Sequence, residues 1–248
     1  MNIALVLAGG TGTRLGADIP KQYIEVNGRM IIDYCLKTLD ESDYIDAVWI
    51  VADSVWQDKI KKPKKFGGFS KPGKNRQLSI YNGIKDILEY ISDSSIQNDN
   101  KDIYKDDIKA KTGIGGINTV LVHDAARPLL KEDTIRLCMD SIYKDGYDGA
   151  MPVLPMKDTI YVSADGRKVD SLIDRATVYA GQAPELFVLD KYAEANKALL
   201  PDKILGINGS SEPAVMAGMN IALIQGDENN YKITTKADLD RFISVLGD

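Results

Sequence analysis

The 248-residue chain has one histidine, two cysteines, no excess of basic residues and no apolar run long enough to cross a bilayer. The lone His123 leaves no histidine-based metal site and no Ser-His-Asp triad, and it is read as a packing residue or local hydrogen-bond partner. Cys35 and Cys138 form no CxxC pair and no disulfide framework, so a reducing cytoplasm is the default compartment. The opening MNIALVLAGG is too short for a membrane span and lacks a basic leader, so neither an anchor nor a signal peptide is expected. Lysine and arginine number 31 against 36 acidic residues, a net charge of −5. That balance excludes a general nucleic-acid binder, which needs a broad basic surface to release phosphate counterions, but leaves room for a local basic pocket. What is present, 44% hydrophobic and 27% charged residues, suits a soluble globular protein.

Short continuous apolar runs at 3–7, 47–51 and 119–122 predict strands buried on both faces, and a further strand is expected at 149–154. Helical spacing is found at 31–39, 76–91 and 132–144. Strand and helix alternate in this order, which predicts one α/β domain over 1–248: a Rossmann-like, mostly parallel sheet with helices on both faces. Residues 92–116 turn polar and poor in aromatics and read as a mobile surface insertion. Residues 157–172 read as two short strands around Ala164-Asp165-Gly166, a projecting β-hairpin arm whose apolar side a second copy of the chain would cover. A helix at 189–199, a strand at 220–225 and a helix at 235–246 complete the chain, with no internal repeat.

The loop after the first strand stands where open α/β sheets bind ligands, beyond the carboxyl ends of the strands. In LVLAGGTGTRLGADIPKQY, residues 5–23, glycines allow close backbone approach to an anion, and Arg14 and Lys21 add full positive charge. The ligand is therefore expected to be phosphorylated. The Walker loop is excluded because Gly-Lys-Ser/Thr is absent, and the dinucleotide fingerprint fails because Gly16 falls one residue late.

This stretch resembles the signature of nucleotidyltransferases that join CTP to a polyol phosphate, the families of 2-C-methyl-D-erythritol 4-phosphate cytidylyltransferase and ribitol-5-phosphate cytidylyltransferase. KNRQLSIYNGI, VHDAARPLL, DTIYV, IDRATVYAGQAPELF and NNYKITTKADL follow in the same order, so the resemblance runs almost end to end, with 92–116 as its main unmatched region. It implies a GT-A-like nucleotidyltransferase fold, CTP and a small polyol phosphate as partners, Mg²⁺ as cofactor and a homodimer built through the arm.

The resemblance also implies roles residue by residue. Arg14, Lys21, Arg175 and Lys232 would be the catalytic cations. Leu7, Ala8, Gly9, Gly10, Thr11, Gly12, Thr13, Arg76, Gln77, Ser79, Asp124 and Ala125 would bind the nucleotide, and Arg127, Thr159 and Arg175 the acceptor. Asp124 would hold the metal, with Asp227 as a second candidate ligand. An acceptor phosphate is already anionic, so positioning and charge stabilisation would dominate the chemistry.

Departures fall on the acceptor side. Ala183 stands where the methylerythritol enzymes carry threonine, Glu185 replaces a common glutamine, and NGSSEPAV replaces a more acidic segment. The acceptor therefore stays open between methylerythritol phosphate and an alditol phosphate of a capsule or teichoic-type polymer. A sugar-1-phosphate nucleotidyltransferase using another NTP and a catalytically silent nucleotide-binding protein are the alternatives.

Overall fold

A computed structural model describes residues 1–10, 19–97 and 116–247. Thr11, Gly12, Thr13, Arg14 and, within the 92–116 insertion, residues 98–115 lie outside the described residues.

The first strand, β1 (Asn2–Leu7), is buried almost throughout because both of its faces are covered. A short hairpin of β2 (Glu25–Val26) and β3 (Arg29–Met30) leads into helix α1 (Ile31–Glu41). Then come β4 (Ala47–Val51), the short α2 (Ser54–Gln57), β5 (Phe66–Ser70) and α3 (Arg76–Gln97). Helix α3 continues to Gln97 instead of ending at 91, so a polar composition does not by itself end a helix. After β6 (Thr119–Asp124), α4 (Glu132–Tyr143) and β7 (Gly149–Pro155), the arm follows as β8 (Ile160–Val162) and β9 (Ser171–Ile173). The chain closes with β10 (Tyr179–Gly181), β11 (Glu185–Val188), α5 (Leu189–Lys197), α6 (Glu212–Met216), β12 (Ile221–Gln225) and α7 (Lys236–Gly247).

Among the described residues the main sheet has eight strands, in the order β10-β7-β11-β6-β1-β4-β5 with β12 also on β7. Pairs β1–β4, β1–β6, β4–β5 and β7–β12 are parallel, whereas β10 and β11 run antiparallel to their neighbours. Side chains alternate along β1, so Ala4 and Val6 face one layer while Ile3 and Leu5 face the other. The first layer is closed by Ile32, Cys35, Leu36 and Leu39 of α1 and by Ile135, Cys138 and Ile142 of α4. The second is closed by Ile80, Ile84 and Ile87 of α3 and by Leu189 and Tyr192 of α5. Each fully buried aliphatic side chain contributes roughly 1.5–3 kcal/mol, so these two layers are the main source of stability.

The arm is a separate two-stranded sheet, Ile160 opposite Ile173 and Val162 opposite Ser171. Gly166 takes a positive φ of 70° in its turn, the conformation that favours glycine. No helix among the described residues is long and apolar enough to cross a membrane.

Candidate active site

Parallel pairing brings three strand ends to one edge: Leu7 stands opposite both Val51 and Asp124. Two hydrogen bonds extend the sheet past that edge, Ala8 N–H to Val51 O at 2.8 Å and Ala125 N–H to Leu7 O at 3.1 Å. The glycine loop therefore leaves the sheet beside Asp124.

Asp124 is the centre of a charge cluster. Its Oδ1 takes Arg76 Nη2 at 3.1 Å, and its Oδ2 takes Lys232 Nζ at 3.0 Å and Arg127 Nε at 3.5 Å. Arg76 begins α3, Arg127 follows the turn after β6, and Lys232 comes from the loop before α7. Burial alone would raise the Asp124 carboxyl, but the charges of Arg76, Lys232 and Arg127 hold it well below the usual carboxylate range. One carboxylate facing three cations leaves the edge with surplus positive charge, which suits a polyanionic ligand.

Arg127 is braced further. Its Nη1 donates to Asn230 O at 2.6 Å, and Asn230 Nδ2 donates to Ala183 O at 2.7 Å. His123 lies fully buried beside it, with Nε2 3.0 Å from Arg127 O, so Nε2 carries the ring proton and donates. Burial lowers the His123 pKa from 6.5 to about 4, so the ring is neutral. His123 thus serves packing and one local bond.

Glu185 also belongs to this neighbourhood. Burial pushes its carboxyl up, against the hydrogen bond from Ser210 Oγ and the charges of Arg76 and Arg127. The replacement of a common glutamine is thus an interior change, not a surface one.

At the glycine loop, Gln22 Nε2 donates to Ala8 O at 2.6 Å and to Gly10 O at 2.7 Å, and Tyr23 Oη donates to Ala8 O at 2.9 Å. The Ala8 carbonyl is therefore engaged internally. Lys21 opens the short 3-10 turn Lys21–Tyr23 that carries both clamping residues.

Of the residues expected to act, the structure gathers Arg76, Asp124, Arg127 and Lys232 by direct contact and sets Leu7, Ala8 and Ala125 beside them. Other expected residues stand apart. Gln77 points inward, its Nε2 donating to Tyr192 Oη at 3.2 Å and to Asn196 Oδ1 at 2.5 Å. Ser79 secures the preceding turn, accepting from Gly73 N–H at 2.9 Å and donating to Asn75 O at 2.8 Å. Asp227 is paired with Lys131 at 2.6 Å and makes no contact with Asp124 among the described residues. Thr159 and Arg175 are exposed on the arm, where Arg175 Nη1 donates to Lys157 O at 2.7 Å. An ammonium–carboxylate contact between Lys157 and Glu228 ties the arm to the loop that carries Asp227. Motif reasoning passes over Gln22 and Asn230, although Gln22 sits inside the PKQ stretch.

The chain matches the 2-C-methyl-D-erythritol 4-phosphate cytidylyltransferase (IspD) family over residues 2–93 and 102–247. It belongs to that family. The break between 93 and 102 falls inside the predicted insertion. A 2-C-methyl-D-erythritol 4-phosphate cytidylyltransferase of Thermotoga neapolitana is 33% identical over 97% of this chain and 94% of its own. A ribitol-5-phosphate cytidylyltransferase of Streptococcus agalactiae serotype V is 26% identical over 98% of this chain and 93% of its own. The solved 4-diphosphocytidyl-2C-methyl-D-erythritol synthase of Anaerococcus prevotii shares the fold, with a TM-score of 0.74 at 22% identity over 100% of this chain and 96% of that one. Members of the family are CTP-dependent nucleotidyltransferases, and the condensation of CTP with a polyol phosphate follows from the membership.

Proposed function

We propose that the chain condenses CTP with 2-C-methyl-D-erythritol 4-phosphate at the edge organised by Asp124. The observation that carries the site assignment is the convergence of Arg76, Arg127 and Lys232 on one buried carboxylate at the carboxyl ends of β1 and β6. The acceptor assignment rests on the relative of that name, 33% identical over 97% of the chain. An acceptor phosphate oxygen attacks the α-phosphorus of CTP. A new P–O bond forms, the bond to the bridging oxygen of the β-phosphate breaks, and pyrophosphate leaves with that electron pair. A phosphate monoester is largely dianionic at neutral pH, so no side chain has to remove a proton.

Cations do the work by balancing the charge that builds on the phosphorus and the leaving group. Lys232, with its side chain 34% exposed against 12% for Arg127, is the better placed to exchange Asp124 for a phosphate oxygen. Lys21 and Arg14 would serve the triphosphate from the glycine loop, and Arg175 the acceptor phosphate from the arm. Arg127 and Arg76 hold Asp124 ionised.

Mg²⁺ fits this site through Asp124 alone. A hard cation takes oxygen ligands and completes its shell with phosphate and water, and Asp124 stays ionised at any working pH. Asp227, the second candidate ligand, is paired with Lys131 and would have to leave it to join Asp124. When bound, the metal would neutralise charge on the triphosphate.

Exposed apolar residues on the arm, Tyr161, Val169, Leu172 and Ile173 among them, support a homodimer in which a second copy covers them. The buried free cysteines Cys35 and Cys138 support a reducing, cytoplasmic setting.

Ribitol 5-phosphate is the second reading, favoured by Ala183 and Glu185. Pyrophosphate release with CTP, Mg²⁺ and each polyol phosphate separates the two. The methylerythritol acceptor should give the highest kcat/KM. A higher value with ribitol 5-phosphate transfers the assignment, and no release with either, or faster release with UTP, GTP or ATP, overturns it.

A further inference from the structure

The glycine loop and the lysine turn are joined by one side chain. Gln22 is 3% exposed, and both N–H groups of its carboxamide are used, on carbonyls two residues apart, Ala8 and Gly10. Its neighbour Tyr23 reinforces the first contact and is itself fixed, its ring stacked on Trp56 with centroids 4.2 Å apart and planes at 11°. Ala8 is thus anchored on both sides, by Val51 O at its N–H and by Gln22 and Tyr23 at its carbonyl. The bond to Gly10 is made by Gln22 and sets how the chain turns beyond the strand.

A planar trans peptide points its carbonyl and the next N–H in opposite directions. Because the Ala8 carbonyl faces Gln22 and Tyr23, the Gly9 N–H faces away from them. Gly9 also has no room for a side chain: a Cβ there would lie 2.6 Å from two ring atoms of Pro72. The loop is therefore held between Gln22 on one side and Pro72 on the other, with the Gly9 N–H turned away from Gln22.

We propose that Gln22 is a positioning residue for nucleotide binding: by gripping the Ala8 and Gly10 carbonyls it aims the Gly9 N–H at the bound CTP and keeps that donor in register with Lys21. This rests on the cytidylyltransferase reading of the same edge. A glutamate here would keep the shape but offer no donor, setting a carboxylate against two carbonyl oxygens. An alanine would release Gly10 while Tyr23 still holds Ala8, so the fold should survive.

The test compares wild type with Gln22→Ala and Gln22→Glu. CTP affinity is measured by calorimetry without acceptor, and steady-state kinetics are run for both substrates. Tm should move by only a few degrees. The CTP Kd should rise at least tenfold, more for Gln22→Glu, while the acceptor KM stays put. Added to Lys21→Ala, Gln22→Ala should cause little further loss, because the two act as one unit. If Gln22→Ala fails to fold, Gln22→Asn, whose amide is one methylene too short to span both carbonyls, carries the same expectation. Unchanged CTP affinity in a folded variant, or a loss fully additive with Lys21→Ala, overturns the proposal. A wild-type protein that binds no CTP overturns the reading of the site instead.

Discussion

Arg76 and Asp124 stand 48 positions apart in the chain and meet at 3.1 Å, guanidinium on carboxylate. One begins a helix on one layer and the other ends a central strand, so their contact fastens α3 to the sheet edge where the nucleotide is proposed to bind. Burial would lower the Arg76 pKa, but the Asp124 and Glu185 charges raise it above its ordinary value.

Asp124→Ala should therefore damage both stability and activity. Three cations would lose their common counter-ion, and breaking a buried pair from one side costs about 3–5 kcal/mol. Asp124→Asn keeps the shape and should fold better, yet lose activity by on the order of 100-fold because neither metal nor cations are held. Thermal melts and pyrophosphate release check both. Wild-type kcat in folded Asp124→Asn removes Asp124 from the mechanism.

His123 predicts a pH dependence of stability. Its folded pKa, about 4, lies below the ordinary 6.5, so the unfolded chain takes up the proton first. Stability from this residue is complete above about pH 6.5 and is lost as pH falls towards 4, by about 3 kcal/mol in all. Asp124, with its depressed pKa, adds a loss only below about pH 4. Urea midpoints between pH 7.5 and 4.5 should fall for wild type and stay nearly flat for His123→Gln. Equal slopes in the two proteins refute the assignment.

Lys21 and Arg175 should separate kinetically. Lys21→Ala should cut kcat by on the order of 100-fold or more, since it removes a cation acting on the phosphoryl centre. Arg175→Ala should chiefly raise the acceptor KM and leave the CTP KM alone. A CTP defect without an acceptor defect in Arg175→Ala places that arginine elsewhere.

Leu172→Asp tests the arm. Leu172 is 64% exposed, on a two-stranded sheet set apart from the main one. A charge there should convert a dimer to monomers without unfolding the main sheet, measured by light scattering with circular dichroism as control. A monomeric wild type, or a dimer unaffected by the change, rejects the arm as the interface.

Local pattern reveals most clearly the strands that are nearly all apolar because both faces are covered, β1, β4 and most of β6, and it also marks β7, β12 and the two strands of the arm. Five strands escape the sequence reading, β2, β3, β5, β10 and β11, and two of them show why. In β5, Phe66–Ser70, two glycines lower strand propensity; a Cβ at Gly68 would lie 2.5 Å from the Trp49 indole, so they are present to admit that ring. In β11, Glu185–Val188, four residues beginning with an acid become a strand because β6 and β7 flank them. Helix α3 runs past its expected end because backbone hydrogen bonding can carry a helix beyond its apolar stripe.

The linear order of residues determined the alternating α/β plan, the loop of glycines after the first strand, the projecting arm and the family, since each depends on neighbours in the chain. The folded chain alone decided which charges meet. Asp124 and Arg127 share one turn, but Arg76 and Lys232 come from distant segments, and only the packing of helix α3 and the loop before α7 against the sheet edge brings them to that carboxylate. The same packing turned Gln77 inward and closed Gln22 over two carbonyls, because a buried amide must find partners wherever the surrounding layers place them.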